Sequence, residues 1–305
     1  MEALRTADEI RDVNTRYHDV AASSYDSKWG IDFGEVGQAQ VLGKLKKVLG
    51  SELDRGYRRS LEIGAGTGYF SLNLLQAGVV GEATCTDISP GMVRTLAGNA
   101  ARLGLNVRAA RADAESLPFA DESFDLVLGH AVLHHLPHLP EAFGEFHRVL
   151  RPGGRIVFAG EPSRTGDRLA SVPKRGAIAL APLWRALLRT DLAPPAADSG
   201  ENGAHDHGLE RLVDIHAFAP GDLDGLAKRA GFTDVKVRGE ELVANWFGWF
   251  NRTLEASADP EQVPMLWRQY AFHGYLALQR LDEQVLEPLL PPTVFYNLLL
   301  AARKA

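Results

Sequence analysis

Glu62-Ile63-Gly64-Ala65-Gly66-Thr67-Gly68 ends a short apolar run with an acid two residues before the first of three alternating glycines. Glycine lets a backbone take positive φ and come close to a ligand with no Cβ in the way. A helical pattern begins at Tyr69, with Phe70, Leu74 and Leu75 on one side. A helix start presents free N–H groups and a positive dipole end, which favour a polar or anionic ligand. Strand, glycine turn and helix thus make a nucleotide-sized cradle; a tight turn with no ligand is the plainer alternative. The spacing is G-x-G-x-G with Tyr69 following, not the G-x-G-x-x-G of dinucleotide sites.

Three further groups can act beside such a cradle. Asp87 stands 19 residues after Gly68, at the carboxyl end of a second apolar run. In a doubly wound fold an acid there accepts from the two hydroxyls of a ribose; an ordinary loop aspartate is the alternative. His134 and His135 follow a fourth apolar run, and imidazole titrates near neutral pH, so either can serve as a general base. Glu161 closes a fifth run on the same rim and can orient a histidine. The alternative is that Leu133-His134-His135-Leu136 only shapes a loop. His205, Asp206 and His207 have metal-ligating composition, but no third ligand is placed by spacing, and chance clustering is the better reading.

The elements that must position these groups read in order. Helices are expected over 5–28 and 36–50, the first holding Tyr17-His18-Asp19 and Tyr25-Asp26. Strands follow at 59–63, 82–87, 106–111 and 124–128. Ser89 can cap the next helix with Pro90 in its first position. A helix from Pro140 leads to a turn at Arg151-Pro152-Gly153-Gly154 and a fifth strand to Glu161. Phe232–Arg238 reads as strand six, and Thr293–Arg303 is the best candidate for strand seven.

Taken along the chain, these segments resemble the class I S-adenosylmethionine (SAM)-dependent methyltransferases, ubiquinone/menaquinone-type branch. The resemblance rests on the glycine motif, D-I-S-P-G-M, A-D-A-E-S-L-P-F, F-D-L-V, L-H-H-L and L-R-P-G-G, in family order over about residues 55–161. It implies an α/β fold: a doubly wound, Rossmann-like sheet of seven strands, the seventh antiparallel. Helical insertions would form a cap. It implies SAM as cofactor, S-adenosylhomocysteine as product, and cofactor contacts at Tyr17, Tyr25, Glu62, Gly64, Ala65, Gly66, Gly68, Asp87, Ile88, Met92, Asp113, Ala114 and His130. Asp113 and Ala114 would meet the adenine, and His130 the methionine part.

The implied organisation is N-terminal helices over the cofactor (1–50), a core (51–161), a helical insertion (162–217), core helix and strand six (218–239), an aromatic-rich insertion (240–292) and strand seven (293–305). Four of the five tryptophans, 184, 246, 249 and 267, lie in the insertions. They read first as the core of a small helical cap. An apolar wall there would also favour a lipophilic or aromatic, hydroxylated small-molecule acceptor.

Composition bounds the rest. The 305 residues are 45% hydrophobic and 24% charged, with formal net charge −6 and a single cysteine, Cys85. No basic stripe marks a nucleic-acid footprint, no apolar run is long enough to span a bilayer, and residues 1–20 lack a signal-peptide core. A cytoplasmic setting is the default expectation. Oligomeric state is not readable. Two other functions stay open at this point: a nicotinamide-dependent dehydrogenase, and a non-catalytic SAM- or metabolite-binding module with a partner-docking cap.

Overall fold

The computed structural model describes residues 6–22, 25–26, 30–192 and 215–305. The His205-Asp206-His207 cluster and the loop 193–200 lie outside the described residues. Helix α1 (Ala7–Ala21) opens with a capping box: Thr6 accepts from the Glu9 N–H and Glu9 reaches back to the Thr6 N–H. It is shorter than the expected 5–28. Helix α2 (Glu35–Leu49) stops where Gly50 takes φ 59°.

Strand β1 (Tyr57–Ile63), helix α3 (Tyr69–Gln76), β2 (Val80–Asp87), α4 (Pro90–Arg102), β3 (Val107–Arg111), β4 (Phe124–His130), α5 (Leu139–Val149) and β5 (Leu150–Pro162) follow in strict alternation except between β3 and β4. The sheet order is β3-β2-β1-β4-β5-β7-β6, with β6 spanning Phe232–Glu240 and β7 Asn297–Lys304. β1 pairs in parallel with both β2 and β4. Leu61 of β1 and Leu126, Val127 and Leu128 of β4 are fully buried, as strands covered on both faces require. The strand order reverses between β1 and β4, and the carboxyl ends there open a crevice where open α/β sheets bind ligands.

β7 runs against its neighbour β5. Lys304 Nζ donates to the Leu150 carbonyl at one end, and the Ser163 N–H donates to the Tyr296 carbonyl at the other. β7 starts four residues later than the expected Thr293, because Pro291 and Pro292 lead into a 3₁₀ turn over Pro292–Val294. The expected turn at 151–154 is absorbed into β5 as a register shift opposite Phe124–Leu126, with Gly153 at φ 82°. Buried Arg155 on β5 is held by Glu52 on one side and Asp234 on the other, at 2.7 Å each.

The chain divides into two compact units. The first comprises 1–161, 205–238 and 299–305. Its core joins Val41, Leu45, Phe70, Leu74, Leu126, Leu128 and Val157 across sheet and helices. The second comprises 162–204 and 239–298. It holds helices α6 (Arg164–Leu188), α8 (Val243–Glu255) and α9 (Met265–Leu281); α7 (Pro220–Arg229) belongs to the first unit. Its core is Ala177, Ala181, Trp184, Leu254, Ala258 and Val263, with Trp267 packed against it and edge-on to Trp184 at 5.2 Å.

Candidate functional site

The glycine turn leaves β1 with Gly64, Gly66 and Gly68 all at positive φ, 57°, 52° and 97°. The three have different neighbours. A Cβ on Gly64 would stand 2.3 Å from Val132 Cγ2, and one on Gly68 would meet Leu72 at 2.8 Å. A Cβ on Gly66 would meet nothing within 4 Å. Gly64 and Gly68 therefore serve packing, and Gly66 faces open space. Behind the turn the Ala65 N–H donates to the Thr86 carbonyl at 2.9 Å, tying the loop to β2. Buried Glu62 accepts from the Ser71 N–H at 2.9 Å and so caps α3. Burial pushes its carboxyl up to about 7, against the pull of the Ser71 and Phe70 donors.

Asp87 ends β2. One carboxylate oxygen accepts from the Gly66 N–H and the other from the Ser89 N–H, both at 2.8 Å. Burial pushes its carboxyl up to about 6; the Ser89 and Gly66 donors oppose this, and nearby Asp19 adds to it. Ser89 caps α4 as its sequence position predicts, accepting from the Met92 N–H at 3.1 Å. Asp19, from α1, accepts from the Ser89 hydroxyl and the Gly91 N–H, both at 2.6 Å.

After β3, Asp113 turns one oxygen to the Glu115 N–H at 2.9 Å and pairs the other with Arg11 Nε at 2.9 Å. Arg11 also pairs with Glu115, whose carboxylate accepts from the His138 N–H at 2.7 Å. After β4, Ala131 takes the left-handed region at φ 52° and swings the chain back. His130 stacks on Phe70, centroids 4.8 Å apart.

The next turn is organised by Glu161, which is fully buried. Its carboxylate accepts from the Val132, Leu133 and His134 N–H groups at 2.9, 3.0 and 3.2 Å, and lies 2.9 Å from His134 Nδ1. Burial disfavours the charge, but the His134 hydrogen bond and the backbone donors outweigh it and hold the carboxyl below its usual range. The His134 and His135 rings lie 3.9 Å apart by centroid, and His135 meets His18 edge-on at 5.5 Å.

One cavity gathers Tyr25, Gly64, Gly66, Asp87, Ile88, Asp113, Ala114, His130 and His135. The structure does not bring the other sequence-derived candidates to its wall. Tyr17 is turned into the core at 3% exposure, and Met92 faces inward from α4. Glu62, Ala65 and Gly68 support the turn from behind. His134 is held on Glu161, and Glu161 is enclosed by the loop it gathers. Sequence reasoning missed Arg11, Asn14 and His18, which also line the cavity. Their i, i+3, i+7 spacing puts them on one face of α1. Asn14 Nδ2 donates to the Ile10 carbonyl and reaches the His135 carbonyl at 3.5 Å.

Among the described residues no group of three or more His, Cys, Asp or Glu is placed to hold a metal. His216 Nε2 instead lies 3.0 Å from the Leu136 carbonyl.

Residues 61–158 match a family described as a methyltransferase domain. A malonyl-[acyl-carrier protein] O-methyltransferase of Methylococcus capsulatus is 38% identical over 164 residues, covering 49% of this chain and 58% of that protein. The match thus spans little more than half of that relative's length. A demethylmenaquinone methyltransferase of Thermus thermophilus is 32% identical over 183 residues, covering 59% of this chain and 77% of that protein. Among solved structures, Haemonchus contortus phosphoethanolamine N-methyltransferase 2, with phosphomonomethylethanolamine and S-adenosylhomocysteine bound, superposes with TM-score 0.59 at 17% identity, over 99% of this chain and 60% of that one. The [4+2]-cyclase SpnF superposes at 0.56 and 18% identity, over 97% and 96%. At such identities the structural matches speak for the fold alone, and they include a cyclase.

Proposed function

The chain belongs to the SAM-dependent methyltransferases, and from that premise we propose that it transfers the methyl group of SAM to a lipophilic or aromatic, hydroxylated small molecule, or to one held on a carrier. The observation that carries the reading is the pairing of Gly66 with Asp87. Gly66 faces open space in the cavity, its N–H held by an Asp87 carboxylate that also lines that cavity, at the crevice where the strand order reverses. A carboxylate oxygen with one backbone donor keeps a lone pair for a hydroxyl. The lining fits the group: Asp87 to accept from the ribose hydroxyls, Asp113 and Ala114 for the adenine, His130 toward the methionine part.

When bound, SAM supplies a methyl group already activated on a sulfonium. The chain therefore has to align the acceptor, exclude water and manage a proton. His135 is the residue we assign to the proton. Its ring reaches the cavity, whereas His134 is committed to Glu161 and acts as a positioning residue. His18 stands beside His135 from α1. An acceptor hydroxyl would lose its proton to His135 as the new bond to its oxygen forms. The two relatives, one acting on a malonyl group held on a carrier protein and one on a demethylated quinone, support a carrier-held or quinone-type acceptor. The nicotinamide reading is set aside, since the third glycine stands at 68 and position 69 is Tyr. A module without activity has no support among the relatives named.

The test is a calorimetric titration with SAM and S-adenosylhomocysteine, followed by methyl transfer to quinols, phenols and thioester-linked acids. Binding and turnover are expected. His135→Ala should keep cofactor affinity and lower turnover by about 10²- to 10⁴-fold, the range for a lost general base. Folded protein that binds neither ligand would overturn the reading. Unchanged turnover in His135→Ala would remove His135 from the proton transfer.

A further inference from the structure

The second unit carries an exposed apolar surface, none of whose residues lines the cavity described above. Val172, Leu180, Leu183 and Leu187 of α6 are 69, 48, 69 and 78% exposed. They stand at i, i+8, i+11 and i+15, within about a quarter of the helix circumference at 3.6 residues per turn. Exposed Ala179 and Ala186 continue the stripe, and Leu192, 67% exposed, follows the helix end. The opposite face buries Ala170, Ala177, Ala181 and Trp184. So α6 has an inner apolar face that is satisfied and an outer one that is not.

Beside the stripe runs a row of cations. Arg168 and Arg175, seven residues apart, are both exposed on its flank. The helix carries five basic residues against the single acid Asp167, in a chain of net charge −6. Lys174 and Arg185 are engaged elsewhere: Lys174 sits 3.9 Å over the Trp249 ring, and Arg185 donates to the Ser257 carbonyl.

We propose that α6 lies in the plane of an anionic lipid bilayer, with Val172, Leu180, Leu183 and Leu187 in the acyl boundary and Arg168 and Arg175 at the headgroups. An in-plane membrane helix combines an aliphatic stripe with a cationic flank and carries too many charges to be drawn into the hydrocarbon. Charge complementarity selects the lipid, because cations beside an apolar stripe match a negative leaflet surface. The stripe is purely aliphatic, and Pro173 and Pro182 lie within the helix that carries it. Protein interfaces instead concentrate aromatic side chains and Arg in pockets and make little use of Leu and Val as anchors. No described helix is long and apolar enough to cross a membrane, so the contact is one of lying on the surface.

Flotation of the full chain with vesicles tests this without any measurement of turnover. Vesicles of phosphatidylcholine mixed with phosphatidylglycerol should carry the protein up, and phosphatidylcholine alone should carry far less. Leu183→Asp with Leu187→Asp should abolish flotation. Arg168→Gln with Arg175→Gln should weaken it roughly thirtyfold, and high salt should do the same to wild type. Circular dichroism and cofactor titration on each variant separate a lost surface from a lost fold. No flotation of folded wild type on the anionic vesicles overturns the proposal. So does flotation that both variants retain. A dimer in light scattering that Leu183→Asp with Leu187→Asp makes monomeric also overturns it, assigning the stripe to a second copy.

Discussion

On one wall of the cavity the backbone does the holding: three glycines at positive φ shape the turn, and Asp87 is fixed by the N–H groups of Gly66 and Ser89. On the neighbouring wall after β4 the holding is done by one side chain, Glu161, which collects three consecutive N–H groups and a histidine. Both walls bury a carboxylate, yet the carboxyls move in opposite directions. Asp87 and Glu62 are pushed up by burial, and Glu161 is held down. The difference lies in the donors. Glu161 has a histidine ring besides its backbone donors, whereas Asp87 has Asp19 as a like-charged neighbour. The ribose role proposed for Asp87 needs lone pairs in reserve. A wall meant to hold a loop uses them all.

The largest expected effect separates the two kinds of glycine. Gly66→Val places a β-branched side chain at φ 52° with its Cβ in the cavity. We expect SAM binding to vanish, with a few kcal/mol of stability lost to the strained backbone. Gly64→Val should instead fail in the fold, since Val132 occupies the space. Thermal melts and calorimetry on both variants check this. Equal damage to binding and folding in the pair would erase the distinction between a ligand glycine and a packing glycine.

Next is Glu161→Ala, which strips the acceptor from Val132, Leu133 and His134 at once. Removing one partner from such a buried charged network costs about 3–5 kcal/mol, measurable by urea unfolding. Glu161→Gln keeps part of the acceptor set and should cost less. Its stability should also lose a pH dependence. Glu161 has a depressed folded pKa, so it contributes stability above the unfolded value near 4.5, and that stability disappears as pH falls through the folded value.

Asp87→Ala should weaken SAM by about 1.5–3 kcal/mol, the range for hydrogen bonds to a charged acceptor, with little loss of fold. Because burial places the Asp87 carboxyl near 6, wild-type affinity should fall as pH drops through that value, and the variant's should not. Calorimetry across that window decides. An affinity in Asp87→Ala equal to wild type at neutral pH would remove the ribose assignment.

The contrast between the walls also explains what is legible in the chain. A backbone-built wall writes itself as glycine spacing and an acid at a fixed distance, so Gly64, Gly66 and Asp87 stand out. Strand order follows from the alternation of apolar runs and helical periods. A side-chain wall leaves no such spacing. Glu161 is 27 residues from His134 in sequence; its place at the end of a fifth apolar run marks it as able to orient a histidine, but which histidine it holds, and the three N–H groups it gathers, follow only from the parallel pairing of β4 with β5. On α1 the difficulty is angular: consecutive helical residues point about 100° apart. The resemblance points to Tyr17, yet Tyr17 belongs with Ile10, Val13 and Ala21 to the apolar stripe at i, i+3, i+7 and i+11 that turns inward, and His18, one position on, is the residue facing the cavity.

The smallest expected effect is on the shape of a stability curve. Glu62 is buried beneath the glycine turn with its carboxyl near 7, above an unfolded value of about 4.5. Between those values the folded chain binds a proton the unfolded chain has released. Stability from this group is therefore complete below pH 4.5 and is lost as pH rises through about 7. Glu62→Gln preserves an oxygen for the Ser71 N–H and removes the titration. Near pH 5 the two proteins should unfold at similar urea concentrations. By pH 8 the variant should be the more stable, by about 1–3 kcal/mol. Asp87 slopes the same way and Glu161 the opposite way, but both are present in the pair compared, so the difference between the curves belongs to Glu62. Parallel curves from pH 5 to 8 would mean that the Ser71 and Phe70 donors offset the cost of burying that charge, and the two walls would then treat their acids alike.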